Sequence, residues 1–435
     1  MHDQREPSSY CQHCASRISV DDLEIVGPGL CPGTRGGTRW RKLLPHPPQI
    51  KYKGPKMSGR TLAPSPAPSG VARSSTKLPE RNLDLLRASA VLLVFADHII
   101  SAIGHDSGSW KWNWALGRLG VLFFFVHTSL VLMSSIERGG TTMGWVRRFY
   151  VRRAFRIYPL AIFVILIAAV FRLPTHVTST GSDMARNYPS LATLVSNLLL
   201  VQNLAGARDM QGVLWSLPLE VQMYLLLPLC YVVARKRSRE MAGLVLAFFA
   251  AAIVMQSPLV NHVPGLWRLS VFTFGPCFIS GVLAYHLLRR AKFAKAPSWT
   301  WPLVVALVAT FFALMHPRAE RPDLGWWPCL LLAFAIPAVR EMPASWVTSA
   351  SHAIAKYSYG IYLVHVPILW IWLRVIPGVA TPLRWTGVAI SILVIPVVLY
   401  RLIEEPLLRY GSSLAYRIVR SPERDGLATA TVPAP

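Results

Sequence analysis

Long apolar runs with polar groups set inside them dominate this chain. Residues 81–103 (RNLDLLRASAVLLVFADHIISAI) are apolar for most of their length, and a bilayer crossing takes about 20 such residues as helix. A strand of that length and composition is implausible, so the run predicts a membrane-spanning helix. Comparable runs follow at 117–135, 158–173, 217–234, 241–257, 269–288, 299–315, 325–340, 353–373 and 385–403. One further run, 191–203, is apolar but short. Were it to cross, the basic stretch RKRSR at 235–239 would lie opposite the other basic loops, so it is read as re-entrant or partly embedded. The fold class is therefore all-α, a polytopic membrane helical bundle of about ten transmembrane helices plus a short re-entrant segment.

Residues 1–80 form a separate regime without apolar periodicity, rich in Pro, Gly, Ser and basic residues (KYKGPKMSGR, TLAPSPAPSG). That composition predicts a disordered cytoplasmic tail, with Met57 an alternative natural start. The expected division is this tail, a transmembrane domain over 81–410 and a C-terminal cytoplasmic tail over 411–435. No signal peptide is visible.

Composition agrees. The 435 residues are 53% hydrophobic and only 15% charged, with mean hydropathy +0.38. Lys and Arg number 45 against 21 Asp and Glu, a formal charge of +24. In a membrane protein that excess belongs to cytoplasmic loops and anionic lipid rather than to nucleic acid. The segment 137–157 carries Arg138, Arg147, Arg148, Arg152, Arg153 and Arg156 against one acid, Glu137, so it is placed inside together with both termini. Trp110, Trp112 and Trp114 mark the opposite interface. Cys230, Cys277 and Cys329 read as small buried hydrophobes. Cys11 and Cys14 around His13, followed by Cys31, form a lone CxxC, a weak zinc signal; no metal is expected.

Several ionisable groups lie at membrane depth, where they are costly and face a cavity or another helix. Arg87 and His98 are eleven positions apart, close to three helical turns, hence on one face and about 16 Å apart along the axis. An interfacial anchor and a satisfied core histidine are the plain alternatives. Glu220 falls near the outer end of 217–234, and His365 near mid-depth in SYGIYLVHVPI. A histidine and a carboxylate at one level could form a base with its orienting partner. Arg148, Arg152 and Arg156 form a stripe on one helix face, suited either to lipid phosphates or to a donor's phosphates.

The motifs, taken in order, resemble the acyltransferase-3 family of integral membrane O-acyltransferases: LDLLRASAVLLVFADH, GVLFFFVHTSL, FYVRRAFRIYP, LWSLPLEVQMYLLLP, SYGIYLVHVPI and IEEPLLR. The resemblance covers about residues 80–410. It implies transfer of an acyl group, acetyl first, from cytosolic acyl-CoA as donor substrate, with no permanently bound cofactor. The acceptor would be a hydroxyl of a surface glycan or small molecule. It implies His98 as catalytic histidine, Arg87 as its paired arginine and Glu220 as the acid of the tryptophan–serine motif, Trp215-Ser216. Arg153 and Arg156, with Arg152, would lie near the CoA phosphates, and Ser216, Tyr359 and His365 would continue a polar path. An acyl-histidine intermediate is an alternative route. His127-Thr128-Ser129 replaces the family's smaller Ser-Gly-Phe, which bears on helix approach. Without the family's optional extracytoplasmic domain, transfer falls to one protein or is shared with a separate partner. The cell membrane, inner or plasma, is the expected location. A transporter or flippase using the same buried charges, and more weakly a membrane sensor, are the rival readings.

Overall fold

The computed structural model describes residues 77–103, 112–140, 144–175, 188–263, 265–290, 293–315, 325–376 and 378–425. The expectations for the N-terminal tail up to residue 76, for Met57, for the Cys11–Cys14 pair and for Trp110 lie outside the described residues, as does 426–435. The helices are α1 (Glu80–Ile103), α2 (Trp112–Arg138), α3 (Trp145–Val170), α4 (Leu191–Leu198), α5 (Gln202–Ala205), α6 (Ser216–Ala234), α7 (Ser238–Gln256), α8 (Pro258–Asn261), α9 (Gly275–Arg290), α10 (Thr300–Met315), α11 (Trp326–Ala338), α12 (Trp346–Trp370), α13 (Thr381–Leu399) and α14 (Glu405–Asp425). Among the described residues there is no strand, only one isolated bridge between Ala296 and Val339. Among the described residues, eight helical segments are long and apolar enough to cross a membrane. The other two expected passes are the shorter apolar helices α10 and α11, of 16 and 13 residues.

One end of the bundle gathers the basic residues. Arg289 pairs with Glu137 at 3.3 Å, Arg290 donates to Arg235 O at 2.9 Å, and Arg148 donates to Gly139 O just past α2. The segments 147–156, 235–239 and 289–290 therefore share an end. Asn82 closes the same end between elements, accepting at O from Trp301 Nε1 at 2.8 Å and at Oδ1 from Met342 N at 2.9 Å. Its amide donates to Arg340 O at 3.1 Å.

The short run 191–203 does not span. It forms α4, capped by Ser190 accepting from Thr193 N, and the four-residue α5. Leu199 O accepts from Tyr158 OH at 3.1 Å, thirteen positions into α3 and about 20 Å from its start. The chain then returns, and Gly212 N donates to Thr175 O at 2.7 Å, beyond the far end of α3. The segment enters and leaves on one side.

Close helix approach is supplied by glycine and small residues, the usual device where lipid offers no hydrophobic drive between helices. A Cβ at Gly281 on α9 would fall 2.0 Å from Ser129 Oγ and 2.2 Å from Val126 O on α2. Gly117 on α2 leaves the same kind of room for Asp97 of α1. Ser129 of the His127-Thr128-Ser129 departure thus packs against a glycine on the partner helix. α2 and α9 are the most buried of the long spans, while α7 and α13 lie at the periphery.

The expected tail boundary at 411 falls inside a helix. α14 continues α13 through a π-helical turn, Tyr400–Glu404. It stays ordered because its apolar face packs on α3: Tyr410 meets Phe155 with ring centroids 5.6 Å apart, Gly411 lies against Phe155, and Ala415 is buried.

Candidate active site

α1, α2, α3, α6 and α12 line a partly open cavity of about 80 Å³. That volume holds several waters at roughly 10–15 Å³ each. Its polar wall is Arg87 from α1, Arg153 and Arg156 from α3, Ser216, Glu220 and Tyr224 from α6, and Ser358, Tyr359 and Tyr362 from α12. Val121, Phe124, Phe125, Ile157 and Leu217 make the apolar wall. Each charged group turns from its helix into this shared polar interior.

The cavity's hydrogen bonds fix most of these groups. Arg87 Nε donates to Ser358 Oγ at 2.7 Å, and Ser358 donates on to Ala355 O at 2.9 Å. Arg156 forms an ion pair with Glu404, whose side chain reaches in from the π-helical turn, and lies 5.9 Å from the Tyr359 ring. Tyr359 OH donates to Ile157 O at 2.7 Å. Glu220 accepts from Tyr224 OH. Arg153 has no hydrogen-bond or ion-pair partner among the described residues. It also lines a second pocket, at the basic end, with Arg148, Arg152 and the Gly139–Gly140 backbone. Arg152 belongs to that pocket and not to the cavity, and its Nε is buried without a partner.

The histidines form a second centre. His98 Nδ1 lies 2.9 Å from Val94 O. A carbonyl only accepts, so neutral His98 carries its proton on Nδ1 and its lone pair on Nε2. His365 repeats the arrangement, with Nδ1 3.1 Å from Ile361 O and Nε2 buried without a partner. The two rings meet edge to face with centroids 4.8 Å apart, and Asp97 Oδ2 is 3.8 Å from His98 Nδ1. Neither histidine lines the cavity.

The sequence-predicted residues therefore divide between two places. Arg87, Arg153, Arg156, Ser216, Glu220 and Tyr359 come together; His98 and His365 come together about 16 Å further along α1. Trp215 lies aside, 5.5 Å from the Arg118 guanidinium. The expected pairing of Glu220 with His98 is not formed. The span holding Glu220 begins at Gly212 as a 3₁₀ turn that leads into α6, five residues before the expected start. That places Glu220 about 7 Å deeper, at the level of Arg87. Asp97, Tyr224, Ser358, Tyr362 and Glu404 were not singled out from sequence, although all five lie in motifs already marked and Asp97 is next to His98.

Residues 80–401 match the acyltransferase domain that defines the acyltransferase-3 family. The chain belongs to that family. It is similar to nodulation protein 10 of Rhizobium leguminosarum bv. viciae, 27% identical over 77% of this chain and 95% of the relative. Acyltransferase MdmB of Streptomyces mycarofaciens is 25% identical over 74% of this chain and 90% of the relative. Peptidoglycan O-acetyltransferase OatA of Listeria monocytogenes is 24% identical over 76% of this chain but only 56% of the relative. No solved structure matches. The chain is a multi-pass membrane acyltransferase; the transporter and sensor readings give way to the family match.

Proposed function

We propose that this acyltransferase moves an acyl group, acetyl first, from cytosolic acyl-CoA to a hydroxyl of a carbohydrate or other small acceptor at the far side of the cell membrane. The carrying observation is Arg153: an arginine with no hydrogen-bond or ion-pair partner among the described residues that lines both the pocket at the basic end and the inner cavity. A guanidinium in that position suits a phosphate arriving from the cytoplasm. The cavity is far smaller than the roughly 300–1,000 Å³ of a site that encloses a whole ligand. The nucleotide therefore stays at the basic end, near Arg148 and Arg152, and only the thin acyl-bearing arm passes inward. Positive-inside charge supports a cytoplasmic location for that end, and with it for both termini.

At the other centre His98 takes the acceptor hydroxyl's proton at Nε2. The hydroxyl oxygen attacks the thioester carbonyl, the carbon–sulfur bond breaks, and the thiolate leaves with that proton. Asp97 and His365 hold the His98 ring. The relatives named for acyl and O-acetyl transfer support the reaction class. The experiment is thiol release by the purified protein in nanodiscs, with acetyl-CoA and candidate hydroxyl acceptors. Acceptor-dependent release that disappears in His98→Ala is the expected result. No acceptor-dependent release from acetyl-CoA or longer acyl-CoAs overturns the donor assignment.

A further inference from the structure

Tyr362 touches both the arginine cavity and the histidine pair. The Tyr362 ring lines the cavity and meets Phe124 with centroids 6.0 Å apart. Beyond it the ring lies 6.2 Å from His365, which reaches His98 at 4.8 Å. Tyr362 OH donates to Val213 O at 2.7 Å. A phenol has one proton, so Ser216 Oγ, 2.8 Å away, donates to the Tyr362 oxygen. Tyr359, Tyr362 and His365 are three residues apart along α12 and so share a face. Tyr362 thus stands between a thioester in the cavity and the base that would activate its attacker.

We propose that Tyr362, held by Ser216 and Val213, is the residue that selects the acceptor hydroxyl over water. This rests on the acyl-CoA reading above. The cavity is polar and roomy enough to be wet. Were thioester, water and His98 to share one chamber without acceptor, water would take the hydroxyl's place. Its oxygen would attack the acyl carbon, the carbon–sulfur bond would break, and its proton would pass through His98 to the thiolate, leaving carboxylic acid and free thiol. A ring held by two neutral hydrogen bonds blocks that loss, and it can swing aside when an acceptor occupies the histidine side.

The test uses full-length Tyr362→Ala and Tyr362→Phe in nanodiscs with acetyl-CoA and no acceptor. Tyr362→Ala is expected to raise free CoA release about tenfold or more over the unsubstituted protein. Tyr362→Phe, which keeps the ring and loses both hydrogen bonds, is expected to raise it less. Should Tyr362→Ala not fold, Tyr362→Phe carries the comparison. A donor-free readout runs beside it: carbethoxylation of fully buried His365 by diethyl pyrocarbonate, followed by mass spectrometry, is expected to accelerate in Tyr362→Ala. Folded variants with unchanged CoA release and unchanged His365 carbethoxylation overturn the proposal. Accelerated carbethoxylation with no CoA release from any variant upholds Tyr362 as the barrier and overturns the acyl-CoA reading instead.

Discussion

Arg87 and His98 share a helix face but not a chemical environment. Arg87 is held by Ser358 among the cavity's arginines; His98 is held by Val94 and by the His365 ring. Substituting each side should therefore give different kinetics. His98→Ala is expected to cut transfer by roughly 10²–10⁴, the range for a positioned general base, with the thermal transition of the protein nearly unchanged. Turnover near that of the unsubstituted protein would make the histidine structural. Arg153→Ala should act on the donor instead. Losing a charge-assisted contact of about 1.5–3 kcal/mol raises the donor KM by roughly 10–150-fold, with a smaller effect on kcat. Arg417→Ala, at an exposed site on α14, is the control. Equal KM changes at both positions would mean that the basic residues set topology alone.

At the scale of elements, the site depends on how closely α2 meets its neighbours. α2 supplies Phe124 and Thr128 to the cavity while Gly281 of α9 sits against its other face. Gly281→Leu is expected to abolish the folded protein in detergent, and Gly281→Ala to lower its thermal transition. Forcing one extra methyl into a packed contact costs about 1–3 kcal/mol. Ser129→Ala added to Gly281→Ala should recover only part of the loss, because the Val126 carbonyl remains 2.2 Å from the new Cβ. Full recovery in the double variant would show that the Ser129 hydroxyl alone makes the contact tight. α12 has the complementary task of carrying Ser358, Tyr359, Tyr362 and His365 from one centre to the other.

For the whole molecule, the layout makes sidedness testable. The re-entrant segment requires residues 188 and 208 to share one side of the membrane and residue 236 to lie on the other. Single cysteines at Tyr188, Arg208 and Lys236 in a cysteine-free background can be treated with an impermeant thiol reagent in intact cells. The first two are expected to label and the third only after permeabilisation. Labelling at Tyr188 and not at Arg208 would mean that α4 and α5 cross. Labelling at Lys236 alone would reverse the orientation drawn from positive charge.

The helices and their family were legible in the chain itself, because each rests on a local property. Apolar run length sets a span, basic clusters share an end, and motif order marks the acyltransferase-3 family. The shortness of 191–203 together with the basic stretch at 235–239 marked it as a segment that does not cross. The meeting of side chains was not legible in the same way. The depth of Glu220 depends on where its span begins, and the 3₁₀ turn at Gly212–Trp215 shifts that start by more than a helical turn. The π-helical turn at Tyr400–Glu404 likewise turns Glu404 onto Arg156, 248 residues away in sequence. Hydropathy reports whether a residue is in the membrane and carries no information on which neighbour it faces. Only tertiary packing divided one row of polar residues into an arginine cavity and a histidine pair, with Tyr362 between them.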